Sequence, residues 1–199
     1  MTTPDPVDFF DRQFQRQVRE TDFALNPFER LGLTHVAGSV LDLGCGLGNL
    51  SLEAARRGCR VTAVDASATA VERIRAAALQ EQLPLQVLQA DLGCFRIEQD
   101  YDTIVAIGLL MFFRRERALA LLREIGQHVR PGGRAIVNVL VEGTNYLAMF
   151  KPDEYYLFGA NELEQAFAGW TLLEARRDSF PAPEGTRKEF ATVIARKAP

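Results

Sequence analysis

The feature that most constrains the fold is a short apolar run that ends in three closely spaced glycines. Residues 40–49 read Val-Leu-Asp-Leu-Gly-Cys-Gly-Leu-Gly-Asn. The apolar residues suit a buried strand, whereas Gly44, Gly46 and Gly48 suit a tight turn that lets a ligand approach bare backbone. The N–H groups at the start of the next helix then remain free for that ligand. The stretch predicts a strand, a loop that binds a nucleotide-like molecule, and a helix.

Strand and helix patterns alternate beyond this loop. Four further strands are predicted over 60–65, 85–88, 101–107 and 134–141. This alternation is typical of a parallel sheet with right-handed crossovers, whose ligands bind at the carboxyl ends of the strands. Two final strands, over 170–177 and 188–196, predict an antiparallel hairpin. The fold class is therefore α/β: a Rossmann-like, doubly wound, mostly parallel seven-stranded sheet with an antiparallel C-terminal hairpin.

The segment before the sheet is predicted to be helical. We expect residues 1–36 to form an N-terminal helical cap within the same domain as residues 37–199, which would bind the ligand. Asp8 is the expected N-cap of the first helix. That helix either packs on the domain surface or forms a lid that closes Phe9 or Arg12 over the ligand.

A long aromatic loop is predicted between the fifth strand and the C-terminal hairpin. Residues 142–159 have no periodicity, and loops of this length usually carry function. A short helix should follow, with Asn161 as its N-cap and Glu164 completing a capping box.

Composition and charge exclude several partners. The 199 residues are 47% hydrophobic and 25% charged, and the net charge of −3 gives no electrostatic footprint for nucleic acid. The first residues do not resemble a signal peptide, and no apolar run approaches the roughly 20 residues that span a bilayer. Cys45, Cys59 and Cys94 lack metal-ligand spacing, so no metal is expected. We expect a cytoplasmic protein, without membrane or nucleic-acid partners, that is a monomer or a homodimer.

The glycine spacing distinguishes between nucleotide ligands. A dinucleotide fingerprint requires glycine at position 49, where this chain has Asn49. The spacing from Asp42 to Gly48 instead resembles the signature of class I S-adenosylmethionine-dependent methyltransferases. The resemblance extends to Asp65, to Asp91, and to the segments 101–102 and 130–133. It implies S-adenosylmethionine as cofactor and S-adenosylhomocysteine as product.

The resemblance also implies roles for individual residues. Asp65 would accept hydrogen bonds from the ribose hydroxyls, although it can also be an ordinary turn residue. Asp91 would bind the adenine amino group or cap a turn, while the Leu92 N–H would face the edge of the ring. Asp42 would fix the loop through backbone N–H groups or reach the cofactor ammonium through water. The predicted cofactor-binding residues are Phe9, Arg12, Asp42, Gly44, Cys45, Gly46, Asp65, Ala66, Asp91, Leu92 and Ile107.

A narrower resemblance appears in the second half of the chain. The segments 111–113, 159–163, 169–170 and 190–197 resemble the tellurite-resistance methyltransferase (TehB-like) family. That family carries a His-Arg pair in the hairpin before the last strand, where this chain reads Asp-Ser-Phe-Pro-Ala-Pro over 178–183. The resemblance therefore implies the cofactor but not a tellurite or selenite acceptor.

We therefore predict methyl transfer to a small-molecule acceptor, such as an oxyanion, a thiol or another small metabolite. In-line displacement can proceed through positioning and desolvation, so no catalytic acid or base is obligatory. The candidate acceptor residues are Met111, Phe112, Phe113, Tyr146 and Arg187. The first three can instead be core residues, and Arg187 can be a solvated strand residue. The alternatives are a non-catalytic S-adenosylmethionine-binding regulatory protein and, ranked lower, an NAD or nucleotide-sugar enzyme.

Overall fold

The computed structural model describes residues 5–199, which form one seven-stranded sheet with helices on both faces. The first four residues of the predicted cap lie outside the described residues. The helices are α1 (Pro6–Glu20), α2 (Pro27–Leu33), α3 (Asn49–Arg56), α4 (Ala68–Glu81), α5 (Arg115–His128) and α6 (Glu162–Ala166). The strands are β1 (Ser39–Leu43), β2 (Arg60–Asp65), β3 (Leu85–Gln89), β4 (Tyr101–Ile107), β5 (Val129–Leu140), β6 (Thr171–Pro181) and β7 (Arg187–Arg196).

The strand order confirms the predicted fold class. It runs β3-β2-β1-β4-β5-β7-β6, with parallel pairing from β3 to β5. β7 lies antiparallel between β5 and β6, as the predicted hairpin requires. The order reverses between β1 and β4, and the crevice at such a reversal is where ligands bind in open α/β sheets. In the range 5–199, no helix is both long and apolar enough to cross a membrane.

The core is divided by the sheet into two sides. Successive side chains of a strand point to opposite faces, so Leu41 and Leu43 pack with α5 while Val40 packs with α2 and α3. The central parallel strands β1 and β4 are buried on both faces, which explains why their sequences are largely apolar.

The amino ends of three strands are joined by a polar cluster around Asp102. Its carboxylate accepts hydrogen bonds from the Ser39 N–H and from the Ser39 hydroxyl, each at 2.7 Å. Arg130 donates to Asp102 at 3.2 Å and to the Ser39 hydroxyl at 2.9 Å. Two features that carried the family resemblance, at 101–102 and 130–133, therefore lie at the edge of the sheet opposite the carboxyl ends. Their role is to hold β1, β4 and β5 together.

β5 begins earlier than predicted, at Val129 rather than Arg134. Tyr101 pairs with Val129 and Thr103 pairs with Arg134, so the residues between them form a bulge inside the strand. The sequence Pro-Gly-Gly at 131–133 predicted a turn because a bulge uses the same residue types as a turn.

The helix ends differ from the prediction in two places. α1 is capped by Asp5, whose carboxylate accepts from the Val7 N–H at 2.9 Å, and not by Asp8. Pro6 occupies the first turn, where its missing N–H has no cost. At α6 no side chain caps the helix, so the predicted Asn161 and Glu164 capping box is wrong. Glu162 instead accepts from the Gly159 N–H at 3.1 Å.

We expect Asp102→Asn to destabilise the chain by about 1–2 kcal/mol, because the amide cannot accept as many hydrogen bonds and loses the ion pair with Arg130. Urea denaturation gives the free energy of unfolding. Substitution of the exposed Asp22 by Asn is the control and should leave stability unchanged within about 0.5 kcal/mol. Equal stability of the two variants would contradict the role assigned to the cluster.

Candidate cofactor site

A cavity of about 570 Å³ lies at the carboxyl ends of β1, β2 and β4, at the reversal of strand order. The cavity lies where the sheet was expected to bind a ligand, and its volume is within the range of small-molecule pockets. Nine of the predicted cofactor residues line the cavity. They are Asp42, Gly44, Cys45, Gly46, Asp65, Ala66, Asp91, Leu92 and Ile107.

The glycine loop is fastened to β2 through its own backbone. The N–H groups of Gly44 and Cys45 donate to the Val64 carbonyl at 2.8 and 3.1 Å. The Gly46 N–H donates to the Asp65 carboxylate at 2.8 Å. The loop is therefore held rigidly at the floor of the cavity.

The third glycine has a packing role. Gly48 has a φ of 70°, and a Cβ built there would lie 2.5 Å from Cγ1 of Ile74 in α4. Both the left-handed backbone and this close approach require glycine. Gly48 therefore lets α3 and α4 pack together, which accounts for a third glycine where no pyrophosphate needs to be bound.

Asp65 joins the end of β2 to both neighbouring segments. Besides the Gly46 N–H, its carboxylate accepts from the Ser67 N–H at 2.9 Å. Burial raises the pKa of Asp65, although these N–H groups act in the opposite direction. Each carboxylate oxygen has a further lone pair, so the group can accept additional hydrogen bonds from a ligand in the cavity.

Asp42 is almost fully buried beneath the loop. Only 4% of its surface is exposed, and its described hydrogen-bond partner is the Ser51 hydroxyl at 2.6 Å. Burial raises its pKa to about 7, and the negative charges of Glu29 and Asp65 act in the same direction. The prediction that Asp42 holds the loop N–H groups is wrong, because Val64 and Asp65 accept from them.

Sequence reasoning missed the polar residues that α2 and α3 bring to the cavity. Glu29 lines it and accepts from the Asn26 N–H at 2.7 Å, and burial raises the pKa of Glu29. Asn49 also lines the cavity, and its Oδ1 is buried without a partner among residues 5–199. The capping pattern of Asn26 and Glu29 was readable from the sequence. The proximity of these two residues to the glycine loop could not be read from the sequence, because α2 precedes β1 and only the fold brings α2 close to the loop.

The adenine-binding candidates lie at the end of the cavity that follows β3. The Asp91 carboxylate accepts from the Gly93 N–H at 2.8 Å, so it shapes its own turn as well as facing the cavity. The Leu92 carbonyl accepts from Arg117 at 2.9 Å. In the described part of the chain, no hydrogen-bond partner is found for the Leu92 N–H.

α1 covers the cavity with different residues from those predicted. Phe10 and Phe14 line it, and a Cβ on Gly46 would lie 3.2 Å from Cζ of Phe14. Phe9 lies outside the lining and packs with an aromatic cluster, while Arg12 lies on a separate shallow groove. Adjacent helix positions differ by about 100° in direction, so a helix placed correctly in sequence still gave the wrong facing residues.

α1, which forms the roof of the cavity, is attached at its start and near its middle. Near its start, Asp5 accepts from the Lys151 ammonium at 2.6 Å, which joins α1 to the aromatic loop. Farther along, Asp11 accepts from the Ser67 hydroxyl and, at 3.3 Å, from the Thr69 N–H at the start of α4.

The candidate acceptor residues divide into two groups. Phe112 and Phe113 line the cavity. Met111 is 3% exposed and packs with Tyr146 in the aromatic cluster, and neither lines the cavity. The side chain of Arg187 is 63% exposed and lies 3.4 Å from Glu189, so it is a solvated strand residue. It does not reach the cavity.

Most of the charged side chains that line the cavity are acidic. The carboxyl-bearing residues are Asp5, Glu29, Asp42, Asp65, Asp91 and Glu154, and the basic one is Lys151. Because Lys151 already pairs with Asp5, the cavity suits a ligand that carries positive charge. Residues 5–199 contain no cluster of side chains that could hold a metal ion.

Comparison with known proteins shows which proteins this chain resembles. Residues 40–133 match the model of a family described as a methyltransferase domain. The chain is 29% identical over 164 residues to the probable S-adenosyl-L-methionine-dependent methyltransferase TehB of Haemophilus influenzae, covering 79% of this chain and 57% of TehB. It is also 33% identical over 134 residues to hemagglutinin 1 of Eikenella corrodens, covering 67% of this chain and 44% of that protein. The chain thus spans about half the length of these relatives.

Solved structures share the fold. The crystal structure of TehB from Haemophilus influenzae superposes with a TM-score of 0.76 at 24% identity, covering 91% of this chain and 65% of TehB. The 1,6-didemethyltoxoflavin-N1-methyltransferase of Burkholderia thailandensis was solved with that substrate and S-adenosylhomocysteine. It gives a TM-score of 0.70 at 22% identity, covering 98% of this chain and 87% of that one. The predicted resemblance to class I S-adenosylmethionine-dependent methyltransferases, TehB among them, is confirmed.

We expect Gly48→Ala to lower the free energy of unfolding by about 2 kcal/mol more than Gly58→Ala. Both glycines have positive φ, but a Cβ at Gly58 would meet nothing within 4 Å, so the difference isolates the contact with Ile74. Thermal and urea denaturation measure it. Equal losses would mean that Gly48 is needed for its backbone conformation alone.

Asp42→Asn should stabilise the ligand-free chain by about 1–3 kcal/mol at pH 8. The folded-state pKa of about 7 lies above the ordinary aspartate value of 3.8, so the folded state binds more protons between these limits and stability falls as pH rises through them. The asparagine variant lacks this titration.

Urea denaturation from pH 4 to 8 measures the effect of Asp42→Asn. The stability difference from the parent chain should be largest above pH 7 and should shrink toward pH 4. A difference independent of pH would contradict the assignment to Asp42.

Proposed function

We propose that this chain, of which residues 40–133 match a methyltransferase domain, transfers the methyl group of S-adenosylmethionine to a small-molecule acceptor. The cavity continues beyond the cofactor candidates to Phe10, Phe112 and Phe113, which leaves room for a second molecule. This extension favours an enzyme over a regulatory protein that only binds the cofactor.

The observation that carries the proposal is the set of carboxyl groups beneath the glycine loop. Glu29, Asp42 and Asp65 line this part of the cavity, and no basic side chain of residues 5–199 shares it with them. S-adenosylmethionine has a sulfonium and an ammonium group, so its charge complements this lining. The orphaned Oδ1 of Asn49 is a further acceptor for an ammonium N–H. The pyrophosphate of NAD would meet repulsion here, which argues against a dinucleotide.

Individual roles follow from position. Asp65 would bind the ribose hydroxyls with its remaining lone pairs, and Glu29 together with Asp42 would bind the ammonium of the methionine part. Gly44 and Gly46 would let the ligand approach the backbone. The remaining contacts are assigned to Cys45, Ala66, Asp91, Leu92 and Ile107.

The chain contributes positioning and the exclusion of water. When bound, S-adenosylmethionine supplies an electrophilic methyl group on a positively charged sulfur. Phe10 and Phe112, whose ring centroids lie 5.1 Å apart, close the cavity from opposite elements. The two rings would exclude water from around the nucleophile and would hold the nucleophile in line with the methyl group. This positioning and desolvation can account for catalysis without an acid or base.

The N-terminal cap belongs to this functional unit. α1 and α2 each supply cavity residues, namely Phe10 and Phe14 from the first and Glu29 from the second. We therefore treat the predicted cap, from Asp5 onward, and residues 37–199 as one domain.

Calorimetry tests the cofactor. We expect heat of binding with S-adenosylmethionine and S-adenosylhomocysteine and none with NADH. Because binding of the cation favours ionised Asp42, S-adenosylmethionine should release protons near pH 7, seen as a binding enthalpy that depends on the ionisation enthalpy of the buffer. Binding of NADH alone would overturn the proposal.

Asp65→Ala should weaken S-adenosylmethionine binding by about 1–3 kcal/mol, because the ribose hydroxyls lose their acceptor. Asp178→Ala, at a site in β6 away from the cavity, is the matched control and should leave the affinity unchanged. Circular dichroism checks that both variants fold. Unchanged affinity of a folded Asp65→Ala variant would contradict the role of Asp65.

A further inference from the structure

Some residues that line the cavity belong neither to the glycine loop nor to the ends of β2 and β3, and we call the part of the cavity that they form the acceptor compartment. It is formed by Asp5, Phe10, Phe112, Phe113, Lys151 and Glu154. These residues come from α1, from the segment after β4 and from the aromatic loop. None of them belongs to the glycine loop or to the ends of β2 and β3. The compartment therefore lies on the β4 side of the cofactor candidates.

Aromatic rings form the apolar wall of this compartment. Phe112 packs edge-on against Phe10 and lies 5.0 Å from Phe150, which itself stacks on Tyr155 at 4.7 Å. Rings held in this way present a fixed surface to an apolar molecule. Their faces also attract positive charge.

Among residues 5–199, the charged side chains of the compartment include no cation that is free to bind an anion. The Lys151 ammonium lies 2.6 Å from Asp5 and 3.7 Å from Glu154. The pairing with Lys151 holds the pKa of Asp5 below its usual value, so Asp5 is ionised at neutral pH. Arg114 approaches Glu154 at 3.6 Å from outside the cavity, and its side chain is 66% exposed. An anionic acceptor would have to break one of these pairs.

We propose that the methyl acceptor is a small uncharged amine on an apolar framework and that anions, oxyanions included, are excluded. This inference rests on the proposed methyl transfer. The amine lone pair forms the new N–C bond, the C–S bond breaks, and its electron pair stays on sulfur as a neutral thioether. The nitrogen takes the positive charge and loses any proton it carries to solvent.

The charge balance of this transfer suits the cavity. Methylation of an amine moves positive charge from sulfur to nitrogen, so the carboxylates of the lining face this charge before the transfer and directly after it, until any proton on nitrogen is lost. Methylation of an anion would instead leave the ammonium of the methionine part as the remaining positive charge of the ligand that faces the carboxylates. An anion would also have to be desolvated beside like charges before reaction.

The first test measures binding to protein saturated with S-adenosylhomocysteine. The probes share one ring: benzyltrimethylammonium resembles a methylated product, N-methylaniline is an uncharged amine, and benzoate is an anion. Calorimetry should show benzyltrimethylammonium and N-methylaniline binding at least about fivefold tighter than benzoate. Selenite and tellurite should bind no better than benzoate. Equal affinities, or tighter binding of any anion, would overturn the inference.

A charge reversal links the preference to the compartment. Glu154→Lys should reduce the preference for benzyltrimethylammonium over benzoate by about fivefold, since partly exposed charges act weakly. The affinity for S-adenosylhomocysteine should not change. Glu98→Lys makes the same change at an exposed position outside the cavity and should preserve the preference. An unaltered preference in Glu154→Lys, or the same loss in both variants, would contradict the inference.

Transfer of labelled methyl groups separates this inference from the proposed function. Transfer to N-methylaniline and other small aryl amines, but not to selenite, tellurite or thiophenol, supports both. Transfer to the anions alone leaves the proposed function intact and refutes the amine acceptor. Failure to bind S-adenosylmethionine refutes the proposed function itself.

Discussion

The hydrogen bonds that Asp65 accepts from Gly46 and Ser67 are the contacts on which the site depends most. They fix the end of β2 to the glycine loop on one side and to the start of α4 on the other. Because Ser67 also binds Asp11 of α1, the same junction positions the roof of the cavity. The floor and the roof of the cavity are thus both positioned by the short segment that joins β2 to α4.

The carboxyl groups beneath the glycine loop are electrostatically unfavourable in the ligand-free chain. Asp42 and Glu29 are buried with raised pKa values, and the described partner of Asp42 is a neutral hydroxyl. A cationic ligand would offset the free-energy cost of burying these carboxyl groups. The same groups that lower the stability of the free chain would therefore raise its affinity for the ligand. By contrast, Asp102 has N–H, hydroxyl and guanidinium partners and stabilises the sheet directly. The same residue type therefore serves binding at one edge of the sheet and folding at the other.

The sheet and its ligand loop were predictable because their signals are local. Apolar runs, alternation with helices and the spacing of Gly44, Gly46 and Gly48 require no knowledge of distant contacts. The roof was only partly predictable. The sequence pattern located α1, but Phe9 was predicted to face the cavity and the adjacent residue, Phe10, does so instead. Glu29 could not be assigned to the site from the sequence, since it comes near Asp42 only after α2 packs beside β1. The role of Arg187 was left open by the sequence, and the fold turns it toward solvent.

Cofactor and acceptor recognition are separated by the architecture. The cofactor candidates lie at strand ends or on helices packed against the sheet, so their geometry follows from the fold. The acceptor compartment depends on the contact between α1 and the aromatic loop, made through Asp5 and Lys151. α1 is not part of the hydrogen-bonded sheet, and the aromatic loop joins it only at the ends of β5 and β7, where Phe158 donates to Leu140 and Asn145 donates to Arg187. The sequences of both segments can therefore change without disturbing β1 to β4. Similarity to TehB therefore carries information about the cofactor, whereas the acceptor has to be inferred from the charges and aromatic rings that this chain itself brings together.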